Sequence, residues 1–176
     1  MATKTVKQSA ANAAKDSLVW ELVRQLNVVR NCLLRTPTLI IKGGSASAIV
    51  ASSTTFEAVI AGVIVRKTAA DMAALVGTVL ADYFGIWVFT MTAAGTLATT
   101  TLTSAATLAE LVLPTISPSV AVVGAVLVNP TGTGNFVGGT TQLDDGTVVP
   151  NAVFYNGQDL AALGDVLSFR ETGQPS

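Results

Sequence analysis

Apolar residues in the first part of the chain recur at helical spacing. These residues, which we call the N-terminal stripe, lie three or four positions apart and are Val19, Leu22, Leu26, Val29 and Leu33. This a/d pattern predicts a helix from about Asp16, a candidate N-cap, to about Arg35, with Pro37 forcing the exit. Because isolated helices shorter than about 12 to 15 residues are marginal in water, we expect the five side chains to form a short coiled-coil bundle between copies. Leu18 and Val23 widen the stripe, which favours a homotrimer.

Beyond Pro37 the pattern changes to short apolar runs separated by Gly, Pro, Ser and Thr, which is typical of strands joined by turns. Strands are predicted at residues 38–42, 48–51, 56–65, 86–91, 96–102, 108–113, 120–128 and 153–155, and a helical turn at residues 71–76. The pattern therefore predicts a mainly β protein with an antiparallel β-sandwich or jelly-roll-like body. We divide the chain into an N-terminal arm and oligomerising helix (1–36), the body (37–157) and a C-terminal tail (158–176).

Two of these runs, residues 59–65 and 122–128, are apolar at consecutive positions. Continuous apolarity is typical of strands that are buried on both faces, so both runs are predicted to be central. Each holds one glycine, Gly62 or Gly124, which predicts a bulge, a bend or a close backbone approach at that point.

The composition indicates a protein whose surface is covered by something other than water. Charged residues are 12% of the chain and hydrophobic residues 50%, with a mean hydropathy of +0.57. No run of about 18 apolar residues is present, so we expect no membrane partner. The first residues lack the apolar core of a secretory signal. Copies of the chain or another protein are therefore the expected covering.

Charge is distributed unevenly. Residues 1–42 hold seven basic and two acidic residues, whereas residues 43–176 hold three basic and nine acidic ones. The body therefore lacks the basic patch that nucleic acid requires, and no nucleic-acid partner is expected. An acidic protein surface is a plausible partner for the N-terminal end.

The residue inventory argues against catalysis. The chain has no histidine and a single cysteine, which removes His-based acid/base chemistry, Ser-His-Asp and Cys-His arrangements, and His/Cys zinc sites. We therefore expect no enzyme activity, no cofactor and no metal. Asp144 and Asp145 precede Gly146 and predict a tight turn, with calcium ligation as the alternative. Cys32 is predicted to be a small buried residue, with a symmetric interchain disulfide as the alternative.

Two further motifs have a structural and a functional interpretation. The glycine-rich residues 132–139 lack the Gly-Lys-Ser/Thr ending of a phosphate loop, so a turn is predicted, with Phe136 packing inward or onto a partner. Tyr83 and Trp87 could stack on a sugar. Because Trp87 lies in an apolar strand pattern, a core-facing aromatic is the favoured interpretation.

Four segments carry a resemblance to a known family. They read TPTLIIKG (36–43), GVIVRKTA (62–69), VNPTGTGNFVGGT (128–140) and VPNAVFYN (149–156). Together they resemble tailed-bacteriophage virion proteins of the head-associated kind: capsid decoration, cement or head-fibre proteins. The likeness spans most of residues 19–156, and residues 129–140 are its most specific part.

The resemblance implies a structural protein of the virion. Such a protein is made in the host cytoplasm, binds the major capsid protein on the outer capsid surface, and reinforces or decorates the shell. It brings no catalytic residues to this chain. A glycan- or receptor-binding module of a phage fibre is the alternative function.

Overall fold

The computed structural model describes residues 31–43 and 47–157. This part of the chain is mainly β, as predicted, and all its paired strands are antiparallel. The strands are β1 (Asn31–Arg35), β2 (Leu39–Ile41), β3 (Val50–Ser52), β4 (Phe56–Ile60), β5 (Val63–Lys67), β6 (Thr78–Val79), β7 (Phe84–Met91), β8 (Leu97–Thr99), β9 (Thr103–Ala105), β10 (Ala121–Val128), β11 (Phe136–Val137) and β12 (Val153–Asn156).

Two sheets dominate the architecture. One has the order β1-β4-β5, and the other has the order β12-β10-β7-β8, with β9 also paired to β7. Two small ribbons, β2 with β3 and β6 with β11, complete the described sheets. Side chains of both large sheets share one core, whose members include Phe56, Ala58, Ile60, Val65, Trp87, Phe89, Met91, Ala121, Val123, Val126 and Val128.

The predicted helix is wrong at its C-terminal end. Residues Asn31–Arg35 form β1, which pairs with β4, and Leu33 lies opposite Ala58. Leu33 packs against the core, where its Cδ1 atom would lie 2.5 Å from a Cβ added at Gly157. A spacing of four residues returns to the same side in a helix and in a strand, so Leu33 fitted the helical stripe while belonging to a strand.

The other four members of the stripe, Val19, Leu22, Leu26 and Val29, lie outside the described residues, as does the tail from residue 158. Their interface role therefore stays a prediction. The body's β structure begins at Asn31, before the domain boundary expected after residue 36.

Strand β10 confirms the prediction of a central strand for residues 122–128. It lies between β7 and β12, and its second face belongs to another apolar cluster with Ile86, Val88 and Leu111. A register shift between Val122 and Gly124 switches which residues face each side. Before the shift, Ala121 and Val123 face the core that the two large sheets share. After the shift, Val126 and Val128 face it.

Gly124 marks both a bulge and a close approach, as the sequence predicted. A Cβ there would lie 2.5 Å from the carbonyl oxygen of Tyr155 and 2.6 Å from Leu39 Cδ1. Since real Cβ atoms avoid such distances, only glycine allows β12 and β2 to lie this near to β10.

For residues 59–65 the prediction of a central strand buried on both faces is wrong. The run is a hairpin in which Ala61 and Gly62, with φ of 52° and 82°, separate β4 from β5. Positive φ at both central residues is typical of a type I′ turn. Val63 and Ile64 emerge from the turn exposed, so this run is not buried on both faces.

Three further sequence predictions differ from the structure. Residues 108–113 begin with a short 3₁₀ helix, Leu108–Glu110, and hold no strand. Residues 71–76 hold no helical turn and contribute one isolated bridge, from Asp71 to Ala51. Residues 96–102 contain the short β8, and β9 follows separately; both pair with β7. In each case pairing with a distant strand or packing onto the core outweighs the local pattern.

Candidate functional site

The three-stranded sheet presents apolar side chains on the side that faces away from the core. Cys32 of β1 lies opposite Val59 of β4, and Val59 lies opposite Ile64 of β5, so the three residues form one row across the sheet. Leu34 follows the core-facing Leu33, so strand alternation turns it to the same side as Cys32, and the register shift between Leu33 and Arg35 lies at this point. We call Cys32, Leu34, Val59 and Ile64 the outer face. Ile64 is 66% exposed and Leu34 is 50% exposed.

Apolar residues are unusual at these positions. An antiparallel sheet with one face on the core normally places polar residues on the other face. In this sheet the polar residues lie beside the apolar row, at the rim of the outer face. There Glu57 of β4 pairs with Arg66 of β5, and Arg66 Nε lies 3.5 Å from Glu57 Oε1. Because exposed apolar groups that lie together mark interaction surfaces, the outer face is the candidate binding site of the described body.

The outer face ends at an open sheet edge. Within the described residues β5 pairs with β4 alone. One end of β5 is tied down by Lys67, whose Nζ donates a hydrogen bond of 3.0 Å to the carbonyl oxygen of Gly95. The end next to the hairpin turn carries the exposed Val63 and Ile64. Open edges of this kind are places where another chain can dock.

The start of β1 is fixed at the same end of the sheet. The Asn31 side chain accepts a hydrogen bond of 2.7 Å from the backbone N–H of Ala61 and donates one to the carbonyl oxygen of Pro118. The hairpin turn and the point where the N-terminal segment joins the body therefore lie side by side.

A second feature is a group of loops at one end of the five-stranded sheet, where β7 begins, β10 ends and β12 begins. Asp82, Val149 and Asn151 have φ between 48° and 64°, which L-residues rarely adopt. For the β-branched Val149 this conformation is a clear outlier. Backbone strain persists only where the surroundings hold it in place.

Hydrogen bonds supply that restraint. Residues 131–133 run beside residues 147–149, with Thr131 N donating to Val149 O at 3.2 Å and Thr133 N donating to Thr147 O at 2.8 Å. Asn151 Nδ2 donates to the carbonyl oxygen of Asn129 at 2.9 Å. Residues 128–140 and 149–156, two of the four segments named in the sequence analysis, are thus neighbours. Asparagine side chains of these two segments hydrogen-bond to backbone groups within the loop group and so hold its backbone in place.

The chemical candidates from the sequence have structural roles. Asp145 Oδ1 accepts hydrogen bonds of 2.7 Å from Thr147 N and from Val148 N, which confirms the predicted turn. Among the described residues, no group of three or more His, Cys, Asp or Glu residues could hold a metal ion. Cys32 lies half-buried on the outer face.

The aromatic predictions are confirmed. Trp87 is fully buried and donates from Nε1 to the carbonyl oxygen of Val76 at 3.0 Å. Phe136, in the glycine-rich loop, is also buried and meets Trp87 edge to face with ring centroids 5.9 Å apart. Trp87 therefore lies out of reach of a sugar, whereas Tyr83 is partly exposed in the loop group.

The sequence-predicted interface and the candidate site share no residue. Leu33 is partly buried and packs against the core, and its four companions lie outside the described part. Leu34, Val59 and Ile64 were missed because their common face depends on the register of three strands. The one signal in the sequence was the run of apolar residues at 59–65, which exceeds what a hairpin on a core requires.

Comparisons with known proteins add no relative: no family model matches the chain, and no curated protein or solved structure matches it. Within the described ranges, no helix is long and apolar enough to cross a membrane.

Proposed function

We propose that this protein is a structural component of a bacteriophage virion that binds the outer capsid surface as a homo-oligomer and reinforces or decorates the shell. The observation that carries the proposal is the outer face, an apolar surface beside an open strand edge. Such a surface suits assembly with other protein chains. The choice of a phage head as the assembly comes from the resemblance of the four sequence segments.

The body in this proposal is a β-sandwich. The shared core of the three-stranded and five-stranded sheets supports it, since residues such as Phe56 and Val65 of one sheet lie with Phe89 and Val126 of the other. A closely packed body braced by hydrogen-bonded loops is suited to a passive role in a shell.

The oligomer is a homotrimer that uses the N-terminal stripe. Val19, Leu22, Leu26 and Val29 are its proposed contact residues, and Leu33 is withdrawn because it belongs to the body. The partner of the trimer is the major capsid protein. Binding only to the closed shell stabilises that shell by mass action, because opening then requires the bound copies to be released.

The test uses purified heads of the phage that encodes the chain. We expect the protein to sediment with intact heads in a fixed stoichiometric ratio, measured by quantitative mass spectrometry. Heads stripped of the protein should open at a lower temperature and regain their stability when purified protein is added back. Heads that lack the protein, or whose opening temperature is unaffected by it, would contradict the proposal. Binding on a glycan array without binding to heads would instead favour the fibre module.

A further inference from the structure

The outer face and the N-terminal stripe are both apolar, and the stripe, which ends at Val29, lies just before the outer face residue Cys32 in the sequence. With Leu33 removed, the stripe covers residues 19–29, and the helix predicted from about Asp16 has to end before β1 begins at Asn31. That leaves about 15 residues, a length at which an isolated helix is marginal in water. A bundle of such short segments needs further apolar surface. The outer face supplies that surface in the described body.

We infer that the stripe of one copy packs on the outer face of a neighbouring copy. The contact joins Val19, Leu22, Leu26 and Val29 of one chain to Cys32, Leu34, Val59 and Ile64 of the next. The occupant is thus residues 19–29 of a second copy. This inference rests on the homo-oligomer of the proposed function and names the surface that completes it.

The point where the N-terminal segment enters the body explains why a second copy is preferred to the same chain. Only Arg30 separates Val29 from Asn31, whose side chain is held by Ala61 and Pro118. To cover its own sheet, the segment would have to reverse direction within residues 28–30. That stretch is Val-Val-Arg and holds none of the residues that favour tight turns.

Charge favours the same pairing. Residues 1–30 hold five basic and two acidic residues, whereas residues 31–157 hold four basic and six acidic ones. The N-terminal segment and the described body as a whole therefore have opposite net charge, whereas at the rim of the outer face Glu57 lies between Arg35 and Arg66. A segment of one sign that docks on a body of the other sign gains orientation and a faster encounter.

The symmetry of this contact has a consequence. A stripe on one copy and a face on the next form a heterologous contact, which closes into a ring when the rotation between copies allows it. Each chain in the ring then contributes one stripe and one face. Damage to either surface removes every contact, but two differently damaged chains retain one good stripe and one good face between them.

The experiment is sedimentation velocity on the full chain over a concentration series. Leu26→Asp damages the stripe and Ile64→Asp damages the outer face. Each should weaken self-association by about 100-fold or more, because a carboxylate is costly to bury without a partner. Val76→Asp is the matched control: Val76 is 71% exposed and lies outside the outer face, so self-association should be unchanged.

Mixing the two damaged chains is the decisive step. A 1:1 mixture of Leu26→Asp and Ile64→Asp should form a species of two chains, since the stripe of one fits the face of the other. An oligomer that survives Ile64→Asp overturns the inference and points to a free-standing bundle. A wild-type monomer, or a mixture that stays monomeric while each variant is folded, also overturns it.

Folding and function are controlled separately. Should Ile64→Asp not fold by circular dichroism, Ile64→Thr keeps the β-branched shape and should still weaken association at least about tenfold. Ile64→Leu should associate as the wild type does. Head binding is measured on the wild-type protein alone. A wild-type oligomer that ignores phage heads but dissociates on Ile64→Asp would refute the proposed function and leave this inference standing.

Discussion

Two stretches of the chain are similar in apolar composition and differ in structure. Residues 59–65 read VIAGVIV and residues 122–128 read VVGAVLV. The second stretch lies in the continuous strand β10, with Val123, Val126 and Val128 fully buried. The first turns back at Ala61 and Gly62 and leaves Val63 and Ile64 exposed. Apolar sequence alone therefore does not determine which side of a strand is covered.

The difference follows from what surrounds each stretch. Strand β10 has a paired strand on each side and an apolar cluster on each face. Strand β5 has one paired strand within the described residues and a core on one face, which Val65 fills. A strand that is apolar beyond the needs of its own core is a candidate for contact with another chain.

The largest expected effect is on the free energy of unfolding, and it distinguishes the buried Ile60 from the exposed Ile64 of the same hairpin. Ile60→Ala should lower the free energy of unfolding by about 3 kcal/mol, because Ile60 is fully buried and the change leaves a cavity. Ile64→Ala should change it by less than about 0.5 kcal/mol, because Ile64 is 66% exposed. Urea unfolding, at a concentration where the chain is monomeric, measures both values. Equal losses at the two positions would show that the outer face is buried within the monomer.

The two glycines give an intermediate effect. Gly124→Ala should cost about 2 kcal/mol, because the new Cβ would lie 2.5 Å from a backbone oxygen of β12, which cannot move aside cheaply. Gly62→Ala should cost about 1 kcal/mol, since nothing lies within 4 Å and the cost is that of φ at 82° alone.

Thermal unfolding of the two glycine variants is the measurement, with Gly146→Ala as the control. Gly146 has open space around it and is not among the glycines with positive φ. A Gly62 variant less stable than the Gly124 variant would mean that the turn, and not the close approach of β12, is the stricter constraint.

Much of the sheet content could be read from the sequence, because its signals are local. The short apolar runs of β2, β7, β10 and β12 and the turn residues around them located those strands, and Asp145 with Gly146 located a turn. The hairpin at Ala61 was missed because Ala-Gly is a weak signal beside Asn-Gly or Asp-Gly. Strand β1 was missed because the spacing of Leu33 fits a helix as well as a strand.

The candidate site could not be read in the same way. The outer face arises only when Cys32, Val59 and Ile64 are placed side by side by two strand pairings. Register is a property of the folded sheet, and a slip of one residue would turn each of these side chains to the other face. The sequence could indicate that apolar surface would be left over, but not where it would lie.

The smallest expected effect is a gain. Ala61 has φ of 52°, which is costly for alanine, whereas asparagine adopts such values readily in type I′ turns. Ala61→Asn should therefore raise the free energy of unfolding by about 0.5 kcal/mol, and it keeps the backbone N–H that donates to Asn31. Ala94→Asn is the matched control, because Ala94 is exposed and is not among the residues with positive φ. A gain at both positions would reflect asparagine on the surface in general, whereas a gain at Ala61 alone would show that the positive φ of this turn is its source. No gain at Ala61 would contradict the prediction.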